Sequence, residues 1–204
     1  MYNSLLIGFF FSFILALEII HPNHEISNSW INLQDESSGL WVAYDEYPDI
    51  TWCRTAATLP YKFNQISKII EDLGSYHEIF DRVTESRVIN DDIVYIRIDM
   101  PFPISDRDYI VKYVTTKDSN IASYKFQAIK NDKAPVYSNS VRLDNAAGEW
   151  YLKKITNSST RVVYTWNGDL GGSFPSYALT TAWTKQGSEM IEWLQESLEE
   201  LNKE

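Results

Sequence analysis

The spacing of hydrophobic residues changes repeatedly along this chain, and each change marks an element. A short helix is expected over Ser29 to Glu36, closed by Ser37 to Gly39. Two runs, LWVAYDEY and TWCRTAATL, are rich in β-branched and aromatic residues and are separated by Pro48-Asp49, so they read as strands joined by a turn. From Pro60 the spacing lengthens. Phe63, Ile66, Ile69, Ile70 and Leu73 recur at helical intervals and Gly74 ends the run. YHEIF adds a further helical turn. The period then drops to two: DRVTESRVIN and DIVYIRIDM flank Asn90-Asp91-Asp92, a hairpin signal. DYIVKYVTTKD and NIASYKFQAIK meet at Asp118-Ser119-Asn120, and YSNSVRLD and EWYLKKIT meet at Asn145 to Gly148. TRVVYTWNGDLGG is the last strand.

The C-terminus returns to helical spacing. Pro175 suits a first turn, and Tyr177, Ala178, Ala182, Met190, Ile191, Leu194, Leu198 and Leu201 form an apolar stripe opposite Glu and Lys. Gly187 interrupts it at about 1 kcal/mol relative to Ala, which points to close packing or to a point of give. The expected class is α+β, with about nine strands, seven of them consecutive and hairpin-joined, in a curved antiparallel sheet around one long helix. Such a sheet and helix enclose a volume that side chains or a ligand must fill.

Composition narrows the occupant. The chain has 204 residues, a one-domain length, and a net charge of -10, which disfavours phosphate backbones and strongly anionic lipid surfaces. Its 14% aromatic share can fill a core or line a cavity. Cys53 is the single cysteine, so no internal disulfide forms, and its strand-like setting with no nearby histidine suits a buried apolar residue rather than a nucleophile. His21, His24 and His77 are scattered without metal-ligand spacing. There is no phosphate-binding loop and no G-x-S-x-G elbow. Gly171-Gly172 has no adjacent lysine and reads as a turn. No cofactor is expected.

Residues 1–20 are a different material. Leu5 to Leu17 is uncharged and apolar, fit for a signal-peptide core and short for a spanning helix. No Lys or Arg precedes Arg54, and no A-x-A site follows, so a retained membrane anchor or a misassigned start stands beside export. The expected organisation is a signal peptide or anchor at 1–20, a linker at 21–28 and one domain at 29–204. Export to a bacterial periplasm or cell envelope is the expected location.

Asp106, Arg107 and Asp108 could suggest acid–base chemistry. Strand alternation puts the two aspartates on one face and Arg107 on the other, which rules out a tight carboxylate dyad. Arg107 and Asp108 are therefore read as structural, with Arg107 expected to pair with a carboxylate on a neighbouring element. No catalytic residue is assigned.

Three blocks in this order, PFPISDRDYIV at Pro101 to Val111, GEWYL at Gly148 to Leu152 and TRVVYTWNGDLGGSFPSYAL at Thr160 to Leu179, resemble the START-type lipid-binding domains of the helix-grip superfamily. The resemblance runs from Trp30 to Leu201. Many members have Asp-Pro-Gly-Gly where this chain has Asp169-Leu170-Gly171-Gly172. Some sterol-binding members carry a buried arginine at the position aligned with Tyr113. The resemblance implies a non-catalytic monomer that shields or transfers a lipid or other apolar ligand, with transient membrane contact admitted. A small cyclase- or hydrolase-type enzyme using the same cavity is the alternative. It also implies a lid, for which Phe102, Ile104, Phe174 and Tyr177 are the candidates. They could equally anchor the core. Strand parity supplies the wall: Val94, Ile96, Ile98, Tyr109, Val111 and Tyr113, then Tyr124, Phe126, Trp150, Leu152, Tyr164 and Trp166. The same residues could simply pack solid.

Overall fold

A computed structural model describes residues 19–24, 27, 29–46, 50–132 and 134–203. The leader up to residue 18 and the Pro48-Asp49 turn lie outside the described residues.

Ten strands, β1 (Ile31–Gln34), β2 (Leu40–Glu46), β3 (Thr51–Leu59), β4 (Val83–Asn90), β5 (Ile93–Ile98), β6 (Asp106–Lys117), β7 (Ile121–Ala128), β8 (Ser140–Arg142), β9 (Ala147–Lys154) and β10 (Thr160–Asn167), form one sheet. Its order is β1-β2-β3-β10-β9-β7-β6-β5-β4, with β8 off this path against β6. Among the described residues three α-helices accompany it: α1 (Phe63–Glu71), α2 (Tyr76–Ile79) and α3 (Leu179–Leu201). This is the helix-grip arrangement, a wide sheet holding a long C-terminal helix.

Two elements differ from the sequence expectation. The segment expected as a helix over Ser29 to Glu36 is instead β1 followed by a single 3-10 turn at Glu36–Ser38. Ile31 and Leu33 alternate with Asn32 and Gln34, and pairing with β2 decides the conformation. The expected hairpin of YSNSVRLD with the following strand does not form. β8 is three residues long and pairs in parallel with the start of β6, Asp106 opposite Ser140 and Asp108 opposite Arg142. β7 occupies the same side of β6 farther along, from Val111 to Lys117, so the chain overshoots after Ala128 and comes back. The other strand pairs are antiparallel.

Register puts opposite demands on the two sheet faces. Inward go Val94, Ile96, Tyr109, Val111, Tyr113, Phe126, Trp150, Leu152, Tyr164 and Trp166, which join α1 and α3 in the main core. α1 contributes Phe63, Ile66 and Ile70, its helical stripe. α3 lies over β2 and β3 through Trp183, Gly187, Ile191, Leu194 and Leu198. Gly187 is there for closeness: a Cβ would stand 2.9 Å from a Val42 methyl and 3.2 Å from the Trp166 ring. Cys53 is buried among them, and burial pushes its thiol well above the usual value, as expected of an inert core residue.

Outward go Trp41, Ala43, Trp52, Ala56, Ala147 and Val163, a second apolar cluster completed by Trp30. The stretch read as a linker packs on this face. His21 lies 5.2 Å from the Trp52 ring and His24 stacks on Tyr151 at 3.9 Å. Beneath it sits a buried polar row. Arg54 Nε donates to Thr165 Oγ1 at 2.8 Å, its Nη2 donates to the Asn23 carbonyl at 2.7 Å, and Trp30 lies over the guanidinium at 4.3 Å. Burial draws the Arg54 guanidinium down to about 10, partly offset by Glu149 and Asp45.

Candidate functional site

A cavity of about 360 Å³ separates the inner face of β5, β6, β7, β9 and β10 from the first half of α3. Tyr76 and Phe80 close it from the α2 side. It survives because its walls are rings braced against one another. Trp150 and Tyr164 are 4.3 Å apart, Tyr164 stacks on Trp166 at 5.2 Å, and Phe80 stacks on Trp150 at 5.9 Å. Phe126 is seated over Gly148, where a Cβ would come within 2.3 Å of its ring. No larger residue at 148 leaves that ring in place.

Of the proposed wall residues, Ile96, Ile98, Tyr109, Tyr113, Phe126, Trp150, Tyr164 and Trp166 line the cavity. Val94, Val111 and Leu152 share the face but are fully buried in the solid part of the core with the α1 side chains. Tyr124 borders a second, smaller space and donates to Glu71 Oε1 at 2.7 Å. Of the lid candidates, Ile104 and Phe174 line the cavity, whereas Phe102 and Tyr177 are 98% and 88% exposed. The proposed lid thus splits into an inward pair and an outward pair.

Arg107 is inward-facing, as alternation requires, but it pairs with no carboxylate among the described residues. Its Nε donates to the Leu170 carbonyl at 2.5 Å, its Nη2 donates to the Gly171 carbonyl at 3.0 Å, and its Nη1 donates to the Ser105 carbonyl. It ties the loop before β6 to the turn before α3. Gly171 and Gly172 both have positive φ, 58° and 62°, which suits glycine at this turn. The aspartates serve the outer side: Asp108 accepts from Arg142 Nε of β8 and from the Tyr95 hydroxyl, and Asp106 accepts from Arg97 at 2.5 Å. The carboxylate expected for Arg107 on a neighbouring element is thus replaced by three backbone carbonyls.

Electrostatically the cavity is quiet inside and charged at one edge. Burial lifts the Tyr109, Tyr113 and Tyr164 phenols above their usual value, so all three stay neutral. Neither the Tyr109 nor the Tyr164 hydroxyl makes a hydrogen bond among the described residues. At the edge, Arg82 grips Glu189 of α3 with two bonds, 2.6 and 2.9 Å, linking the start of β4 to the helix. No cluster of metal-ligating side chains is found among the described residues, and no helix among them is long and apolar enough to cross a membrane.

Residues absent from the sequence-derived site come from the helices and the segments around them, and also from strands and loops, among them Val83, Met100, Leu143 and Leu170. Tyr76, Phe80, Ala182, Met190 and Trp193 line the cavity together with the Arg82–Glu189 pair. Tyr76 and Phe80 sit four apart, a helical spacing that could have flagged them. The pairing of Arg82 with Glu189 spans 107 residues and has no local signature.

The fold is that of the START-type lipid-transfer domains. The STAR-related lipid transfer protein of Xanthomonas axonopodis (fragment 25-204) superposes with a TM-score of 0.72 at 20% identity, over 84% of this chain and 99% of that one. Human StAR-related lipid transfer protein 5 gives 0.76 at 14% identity, over 87% and 89%. The Zhui aromatase/cyclase of a Streptomyces species gives 0.50 at 14% identity, over 72% and 93%. In sequence, an uncharacterized protein of Pseudomonas aeruginosa is 29% identical over 83 residues, and the match spans 41% of each chain. No protein-family model matches the chain.

Proposed function

We propose that this protein holds a lipid or similar apolar molecule in the 360 Å³ cavity and shields it from water. The observation that carries this reading is the wall itself: apolar and aromatic side chains, with every buried phenol neutral. Burial of apolar ligand surface yields about 25 cal/mol per Å², so useful affinity requires no ionic contact. Loading would pass the Ile104 and Phe174 side of the cavity. Phe102 and Tyr177, exposed beside it, suit brief contact with a membrane. Export belongs to the same proposal and is supported by the Leu5 to Leu17 run alone.

Native mass spectrometry of the purified protein, with organic extraction, tests the reading. A stoichiometric co-purified lipid is expected; a protein that carries none and binds none from a lipid panel would overturn it. If Phe102 touches the membrane, Phe102→Asp should slow lipid transfer between vesicles severalfold without changing stability beyond about 0.5 kcal/mol.

A second reading, a small cyclase- or hydrolase-type enzyme, draws on the likeness to the Zhui cyclase and on the unbonded Tyr109 and Tyr164 hydroxyls. These phenols suit hydrogen-bond donation. They do not suit general-base work, because burial holds their protons on.

A further inference from the structure

Tyr113 borders two spaces at once. One is the main cavity; the other has a volume of about 260 Å³ and is lined by Ile70, Leu73, Thr115 and Tyr124, with Glu71 and Asp92 among its polar members. Both carboxylates are substantially exposed and each has a lysine partner, Lys117 and Lys112, so this second space opens toward solvent. The Tyr113 ring is held on one side by Phe126, 5.5 Å away. Buried Tyr76 donates its hydroxyl to the Ile70 carbonyl at 2.8 Å. Tyr76 lines the first space and Ile70 the second. The two tyrosines therefore form the partition.

Resting on the lipid-binding reading, we propose that Tyr113 is the floor of the ligand cavity and limits the length of an apolar chain bound there. The main cavity and the second space have volumes of about 360 and 260 Å³, and the Tyr113 ring stands between them. A chain entering past Ile104 ends against the Tyr113 ring. The space beyond becomes usable only when that ring is shortened or removed.

Calorimetric titration with the straight-chain alcohols from octanol to octadecanol tests this. Affinity should rise about fourfold per added methylene and stop rising at a break length set by the floor. In Tyr113→Ala the break should move longer by several carbons, because removing the ring joins the second space to the cavity. Tyr113→Leu, which keeps apolar bulk should the alanine variant not fold, should move it by fewer. Tyr113→Phe should leave it in place. An unchanged break in folded alanine or leucine protein, with wild-type binding intact, overturns the floor and leaves the lipid reading standing. A wild-type protein that binds no alcohol overturns both.

Discussion

On β10, Tyr164 and Trp166 look into the cavity while Val163 and Thr165 look out, and the two sides solve opposite problems. The inner side keeps a void with neutral walls. Its rings are too large and too well braced to collapse, so the lost contacts are tolerated in exchange for room. The outer side carries buried Arg54 and Glu149 on either side of Thr165, and each is sealed by the N-terminal stretch: Asn23 caps Arg54, and His24 Nε2 donates to Glu149 Oε1 at 2.7 Å while the Ser123 hydroxyl donates to the same oxygen. The contrast shows where the sheet's polar energy is concentrated. The cavity-facing side has little to lose by deleting a hydroxyl, and the outer side has much to lose by deleting a charge.

Three substitutions test this contrast. Arg54→Ala should have the largest effect, about 3 to 5 kcal/mol by denaturant unfolding, because Thr165 and the Asn23 carbonyl lose a partner and buried Glu149 loses a nearby positive charge. An effect under 1 kcal/mol would mean that the outer row is not structural. Glu149→Gln should cost about 1 to 3 kcal/mol near neutral pH. Burial alone would raise the Glu149 carboxyl, but bonds from His24 and Ser123 outweigh it and set the group below its ordinary 4.5. A carboxyl lowered by folding contributes its stability at pH above that ordinary value and loses it as pH falls through the lowered one. Wild-type stability should therefore drop more steeply than that of Glu149→Gln below pH 4.5, and parallel curves would discard the linkage. Tyr164→Phe should have the smallest effect, within about 0.5 kcal/mol, because no described group bonds its hydroxyl.

Much of the inner face was legible in sequence, because period-two alternation fixes the side of a strand without knowledge of its neighbours. It placed Tyr109, Tyr113, Trp150 and Tyr164 on one surface. It could not say where along that surface the void would lie, since this depends on how far α1 reaches over Val94, Val111 and Leu152. Short elements escaped for a related reason. β1 has too few residues to distinguish a period of two from one of 3.6, and β8 is a strand only through its parallel pairing with β6. Arg107 was placed on the correct face but given the wrong partner. Its acceptors are backbone carbonyls, which leave no trace in the residue pattern.

The order of strands also bears on when this protein can fold during synthesis. β3 has its second neighbour only in β10, and Arg54 and Thr165, bonded across that seam, are 111 residues apart. Until β10 leaves the ribosome, the N-terminal three strands cannot join the rest of the sheet, and α3, which must cover them, comes later still. Closure of so distant a seam is slow. The exposed edge of β3 and the uncovered aromatic wall would meanwhile be candidates for chaperone protection, a demand that grows directly from holding both chain halves in one sheet.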